Sequence, residues 1–188
     1  SNMKKINFII IILTIIFSWF YLIININNLN LSQILVILSL TPVLFGVRIA
    51  RNLLKIKIDD TTELIYILFI IFAQLIGSTF KVYDLIGNYD NIIHYSSGVL
   101  TSTFALTLLN NTKLENRTIL TDIIFILFSS LAVASLWEFF EFTADRLLGG
   151  DAQRVLESGV TDTMTDMICA FLGSILFCLI YRFRKTCK

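Results

Sequence analysis

Three carboxylates stand in one nine-residue stretch, Trp137-Glu138-Phe139-Phe140-Glu141-Phe142-Thr143-Ala144-Asp145, in the most aromatic part of a very apolar chain. At helical spacing Glu138, Glu141 and Asp145 fall at i, i+3 and i+7 and share one face. Two further polar pairs are spaced i, i+4: Asp90 with His94, and Asp162 with Asp166. These residue types suit two kinds of chemistry. A Glu-x-x-Glu pair ligates a divalent cation, or shares a proton because two close carboxylates resist ionising together. A neutral imidazole one turn from a carboxylate serves metal ligation or proton transfer, the carboxylate fixing its tautomer. His94 is the only histidine in the chain, so both roles converge on it.

The acids need compensation wherever the chain is buried in lipid. An ionisable side chain at a bilayer centre costs roughly 2.5–3.5 kcal/mol, and less near the interface. Asp90, Glu138, Glu141, Asp162 and Asp166 therefore call for a divalent metal, shared protons, or Lys81, Arg146 and Arg154 reaching in from the loops to bind them or a substrate. Oxygen ligands with one imidazole suit Mg, Mn, Ca or Fe ahead of Zn. His94 and Glu138 are the candidates to handle a proton, and all five acids with His94 are candidate ligands. Local structure explains part of the pattern. Asp162 fits a first helical turn, where the macrodipole favours an acid, and Thr161 or Asp162 suits the cap. Asp166, one turn deeper, is not covered by that explanation. Trp137 fits an interfacial aromatic belt. Ser96, Ser97, Gly98, Thr101, Ser102 and Thr103 suit close helix packing, and no triad motif surrounds Ser97 to make it a nucleophile.

The elements that must position these groups are transmembrane helices. The 188 residues are 56% hydrophobic and 15% charged, with one proline and eight glycines, and the mean hydropathy is +0.79. Such a chain predicts an all-α polytopic membrane bundle, a single membrane domain over 1–188. Spans are expected at about 6–24, 32–50, 63–80, 91–110, 118–142 and 162–181. Pro42, Gly46 and Arg48 interrupt the second, which predicts a kink or an early end. Residues 1–80 are assigned a structural role and 81–181 the polar site. Ser1-Asn2 resembles a tag remnant, and the first span, ending in Asn25-Ile26-Asn27-Asn28 without a small-residue cleavage site, is expected to stay uncleaved. Cys169, Cys178 and Cys187 show neither disulfide nor zinc spacing. No nucleic-acid partner is expected.

Basic residues set the orientation. Lys4, Lys5, Arg48, Arg51, Lys55, Lys57, Lys113, Arg117, Arg182, Arg184, Lys185 and Lys188 fall at one set of span ends, against Lys81, Arg146 and Arg154 at the other. The richer side is expected to be cytoplasmic, with both termini inside. Asp90 and His94, Glu138 and Glu141, and Asp162 and Asp166 then share one depth, toward the outside. The stretch of about 144–161 is expected to be an outer loop, long enough to be functional or structured.

Asp90-x-x-x-His94 with Gly98, then Glu138-x-x-Glu141, then Asp162-x-x-x-Asp166 with Gly173, resembles the VanZ-like membrane proteins, or a neighbouring uncharacterised bacterial family that shares the pattern, over roughly residues 90–175. Those chains tend to show Glu followed by Gln where this one has Glu141-Phe142. The resemblance implies a small multi-pass protein of the bacterial cytoplasmic membrane and, for some members, a role in resistance to glycopeptide antibiotics. The expected function is an outward-facing acidic, divalent-metal-binding pocket acting as a hydrolase or transferase on a lipid head group or lipid-linked envelope precursor. Non-catalytic lipid or antibiotic binding is the alternative. A proton- or cation-coupled transporter ranks below both, since no inverted repeat and no mid-membrane acid is seen.

Overall fold

Apolar runs of this length must satisfy their backbone internally once in lipid, which leaves the α-helix as the form each can take. The computed structural model describes residues 2–112, 114 and 116–186, and every regular element among them is helical. Ser1, Lys113, Cys187 and Lys188, which enter the reading above, lie outside the described residues. The protein is an all-α polytopic membrane protein. Five helices are long and apolar enough to cross a bilayer, or six if one bent pair counts as a single crossing. The chain forms two compact units that meet in sequence at Tyr89 and Asp90.

The N-terminal unit holds α1 (Asn2–Asn25), α2 (Leu31–Leu44), α3 (Gly46–Leu54), α4 (Asp60–Ile70) with its π-helical continuation Ile71–Thr79, and the short α5 (Val82–Leu85). A capping box starts α2: Asn30 accepts from the Gln33 N–H at 2.8 Å, and the Gln33 side chain accepts from the Asn30 N–H at 3.2 Å. Pro42 and Gly46 break the second span as their chemistry predicts. Helices α2 and α3 meet at 44°, and the Tyr66 hydroxyl donates to the Val43 carbonyl beside the break at 2.7 Å. Ile11, Leu40, Leu44, Ile67, Ile70 and Leu75 form the apolar core.

That unit also buries a charge absent from the sequence reading. Glu63 is 1% exposed. It takes Arg48 Nε at 2.6 Å on one oxygen and Arg51 Nη1 at 2.8 Å on the other, and Asn7 donates to it at 3.3 Å. Arg48 and Arg51 are thus bound to one buried carboxylate.

Just outside this cluster, Asp59 caps α4, accepting from the N–H groups of Thr61 and Thr62 and from the Thr62 hydroxyl. Burial opposes its ionisation, but these hydrogen bonds outweigh burial and hold the carboxyl below its ordinary value of 3.8. A depressed value means that the cap stabilises above the unfolded-state pKa and is lost as pH falls through the lower, folded one. Asp59→Ala is expected to cost about 0.5–1 kcal/mol at neutral pH, the low end for a cap because the group is exposed. Unfolding in detergent should show this gap narrowing as pH drops below about 3.8; a gap that does not change with pH would refute the assignment.

The C-terminal unit is carried by α6 (Tyr89–Asn111), α7 (Ile119–Leu148), α8 (Val155–Ser158) and α9 (Thr161–Thr186). Thr118 caps α7, and Gly149, at φ 71°, ends it with its N–H on the Asp145 carbonyl at 2.9 Å. The helix therefore runs past 142, and the expected loop of 144–161 contracts to 149–160. Nothing between Phe142 and Leu148 can stop a helix, whereas Gly149 can. Thirty residues rise about 45 Å, more than a hydrocarbon core, so α7 tilts or projects beyond it.

Helices α6 and α9 meet backbone to backbone. A Cβ built on Gly98 would lie 1.8 Å from the Ala170 carbonyl oxygen, and one on Gly173 would lie 2.1 Å from that of Tyr95. Helix α7 joins the seam through Ser130, whose hydroxyl donates to the Ala170 carbonyl at 3.3 Å. At the other end of the unit, buried Asp122 takes Arg117 Nε at 2.7 Å and the Tyr181 hydroxyl, tying the start of α7 to the end of α9.

Candidate functional site

The glycine seam sets the approach of the polar turns. With Gly98 against Ala170, the first turns of α6 and α9 lie side by side, and His94, one turn before Gly98, faces Asp166, one turn before Ala170. His94 Nε2 is 3.4 Å from Asp90 Oδ1 and 3.6 Å from Asp166 Oδ2. One ligand atom from each of the three residues lies within 4.8 Å of the others. Around a small divalent ion with ligands at about 2.1 Å, neighbouring ligands lie about 3.0 Å apart at right angles and about 3.4 Å apart at tetrahedral angles. The two separations from His94 Nε2 are near these, and the third is at most 4.8 Å, so the three side chains are spaced to close on a cation.

Burial sharpens the point. Asp166 is 2% exposed, and its Oδ1 is buried without a hydrogen-bond partner. An orphaned carboxylate oxygen in such surroundings is costly unless something neutralises it.

Chain segments around the cluster add further groups. Asp145 accepts from the N–H groups of Ala152 at 2.7 Å and Gln153 at 3.1 Å, which folds the α7–α8 loop back onto the helix ends. Gln153 is thereby buried, and its amide N–H₂ is shared among the Glu138 carboxylate at 3.2 Å, the Glu138 carbonyl at 3.3 Å and the Thr163 hydroxyl at 3.3 Å. Arg154, with φ 48°, places Nη2 3.9 Å from Asp90 Oδ2.

A family model described as "Predicted membrane protein (DUF2238)" matches residues 6–186. The chain belongs to this family. No curated protein and no solved structure matches this family member. The match covers both units, including residues 6–80, which by sequence share only hydrophobicity with VanZ-like chains.

Within this family member the residues singled out by sequence fall into three groups. Asp90, His94 and Asp166 come together. Glu138 is buried beside them in the same unit but is held by Gln153, and Asp162 is half-buried with its N–H on the Ser158 hydroxyl at 3.3 Å. Glu141 is outside the three-residue set and accepts from the Trp137 indole at 2.9 Å, beside the Trp137–Phe140 ring pair.

Among the basic residues, Arg154 joins the cluster. Arg146 lies over the Phe142 ring at 5.3 Å and is exposed. Lys81 belongs to the N-terminal unit and lines a cavity there. The Ser97 hydroxyl donates to the His94 carbonyl at 2.7 Å, a bond within its own helix. Gln153 is the residue that sequence reasoning missed. One glutamine in a polar loop carries no periodic signal, and its role exists only once Asp145 has folded the loop.

Proposed function

We propose that Asp90, His94 and Asp166 hold a divalent cation, and that this membrane protein applies it to a phosphate-bearing lipid head group or lipid-linked envelope precursor. The observation that carries the reading is Asp166 Oδ1, buried and unpartnered beside a second carboxylate and an imidazole. Two aspartates and a neutral imidazole bring two negative charges, which a divalent ion balances. Such a cation acts as a Lewis acid on a phosphoryl or carbonyl oxygen. In this reading Arg154 steers a phosphate oxygen toward the cluster, and Glu138, oriented by Gln153, accepts or returns a proton.

The VanZ-like spacing over residues 90–175 supports an envelope role that extends to antibiotic resistance. The excess of basic residues at the opposite span ends supports a site that faces outward from the bacterial cytoplasmic membrane, with both termini inside. A second reading, binding without turnover, draws support from the Ser97 hydroxyl, which is engaged by the His94 carbonyl within its own helix.

Elemental analysis of the protein, purified in detergent and dialysed against Mg, Mn or Zn, tests the cation. Wild type is expected to retain about one ion per chain, and Asp166→Asn and His94→Gln to weaken binding by at least roughly tenfold. Arg146→Gln, exposed over the Phe142 ring, is expected to bind as wild type does. Retention by none of the proteins, or equally by all, would overturn the cation reading. Incubating the loaded protein with lipid then separates turnover from binding.

A further inference from the structure

The N-terminal unit contains a cavity of about 340 Å³ lined by Tyr21, Asn25, Asn28, Gln33, Phe80 and Lys81, among others. Its position in the fold is informative. Asn25 is the last residue of α1, Gln33 lies in the first turn of α2, and Phe80 and Lys81 follow directly on the π-helical end of the third long helix. The cavity therefore sits where three apolar segments end together, at the level a bilayer gives to head groups. Below it, Phe17, Phe20 and Ile24 of α1 present exposed apolar surface, and Phe17 and Tyr21 both meet the Phe80 ring edge-on, at 6.2 and 5.3 Å.

The lining offers donors and acceptors of both kinds. Among the described residues, the Asn28 amide, the Tyr21 hydroxyl, the Asn25 amide oxygen and the Lys81 ammonium make no hydrogen bond within the chain, whereas Gln33 is tied to Asn30 and to the Thr79 carbonyl. Lys81 stands at φ 57°, a left-handed conformation that a non-glycine residue adopts at a cost. A single ammonium calls for one anionic group, and amide and phenol groups around aromatic faces suit hydroxyls on a short carbon chain.

We propose that this cavity binds a phosphate ester that also carries free hydroxyls, with Lys81 on the phosphate and Asn28, Asn25 and Tyr21 on the hydroxyls. The volume is at the small end for ligand sites, enough for a glycerol-sized head group. The apolar strip beneath favours a ligand with acyl chains. The proposal concerns the N-terminal unit alone and holds whether or not the Asp90 cluster binds a cation.

Native mass spectrometry of the full chain, released from bilayer discs of phosphatidylglycerol mixed with phosphatidylcholine, provides the test. Phosphatidylglycerol, with its hydroxyls, is expected to be retained over phosphatidylcholine, and Lys81→Asn to cut that retention about tenfold. Asparagine tolerates the left-handed backbone, so the substitution removes the charge without adding strain. Asn28→Ala, in an exposed turn, is expected to weaken retention independently of any folding defect in the first variant. Glycerol 3-phosphate separates the two sources of the ligand: failure to compete assigns a lipid, and competition at equal affinity assigns a soluble polyol phosphate. Equal retention of both lipids, or retention unchanged in both variants, would overturn the proposal.

Discussion

Gly98→Ala is expected to pull α6 away from α9 and destabilise the protein by about 3 kcal/mol, the upper range for overpacking a tight interface. A methyl carbon 1.8 Å from the Ala170 carbonyl oxygen cannot be accommodated by rotating a side chain, because the obstructing atom is backbone. The helices must separate by more than an ångström to restore ordinary contact. Alanine's better helix propensity recovers only about 1 kcal/mol. Gly173→Ala, 2.1 Å from the Tyr95 carbonyl oxygen, should behave alike. The consequence reaches the site, since this seam holds His94 opposite Asp166. Thermal unfolding in detergent, with Gly87→Ala as control because a Cβ there meets nothing within 4 Å, measures the effect. Midpoints for all three variants equal to wild type would mean that the seam is not packed as described.

Glu63→Ala should cost a comparable amount, about 3 kcal/mol. Removing one partner of a buried ion pair strands the other, a loss of roughly 3–5 kcal/mol when both are fully enclosed. Arg48 and Arg51 are 21% and 17% exposed and can partly recover water, which places the estimate at the lower end. Asn7 also loses an acceptor, although its amide keeps the Asp60 carbonyl at 2.7 Å. Glu63→Gln preserves the shape and one acceptor oxygen and should fall between wild type and alanine. Denaturant titration of the three proteins in one detergent tests the order, and a Gln variant less stable than the Ala variant would refute the charge-pairing account.

These two cases mark how much of the molecule was legible in its sequence. Pro42 and Gly46 announced the break between α2 and α3, because a missing N–H and a missing Cβ act locally. The apolar pattern places the end of α7 six residues early. Aromatic and charged residues after Glu141 resemble the exit from a membrane, but a helix stops for backbone reasons, which Gly149 supplies. The Glu63 cluster leaves no mark in the sequence because its partners lie 12 and 15 residues away on another helix, beyond the reach of any short periodicity. The VanZ-like spacing pointed to the last three long helices, whereas the family match extends across residues 6–186.

By itself the sequence determined what local physics determines: helices wherever apolar runs exceed the bilayer, their approximate ends, and the polar face of each. Spacing of i, i+4 places Asp90 with His94 on one helix face, but says nothing about which way that face turns. The rotation of each helix about its axis was decided by tertiary packing, through the Gly98 and Gly173 contacts. That packing set Asp166 against His94, while the loop folded onto Asp145 brought Gln153 to Glu138.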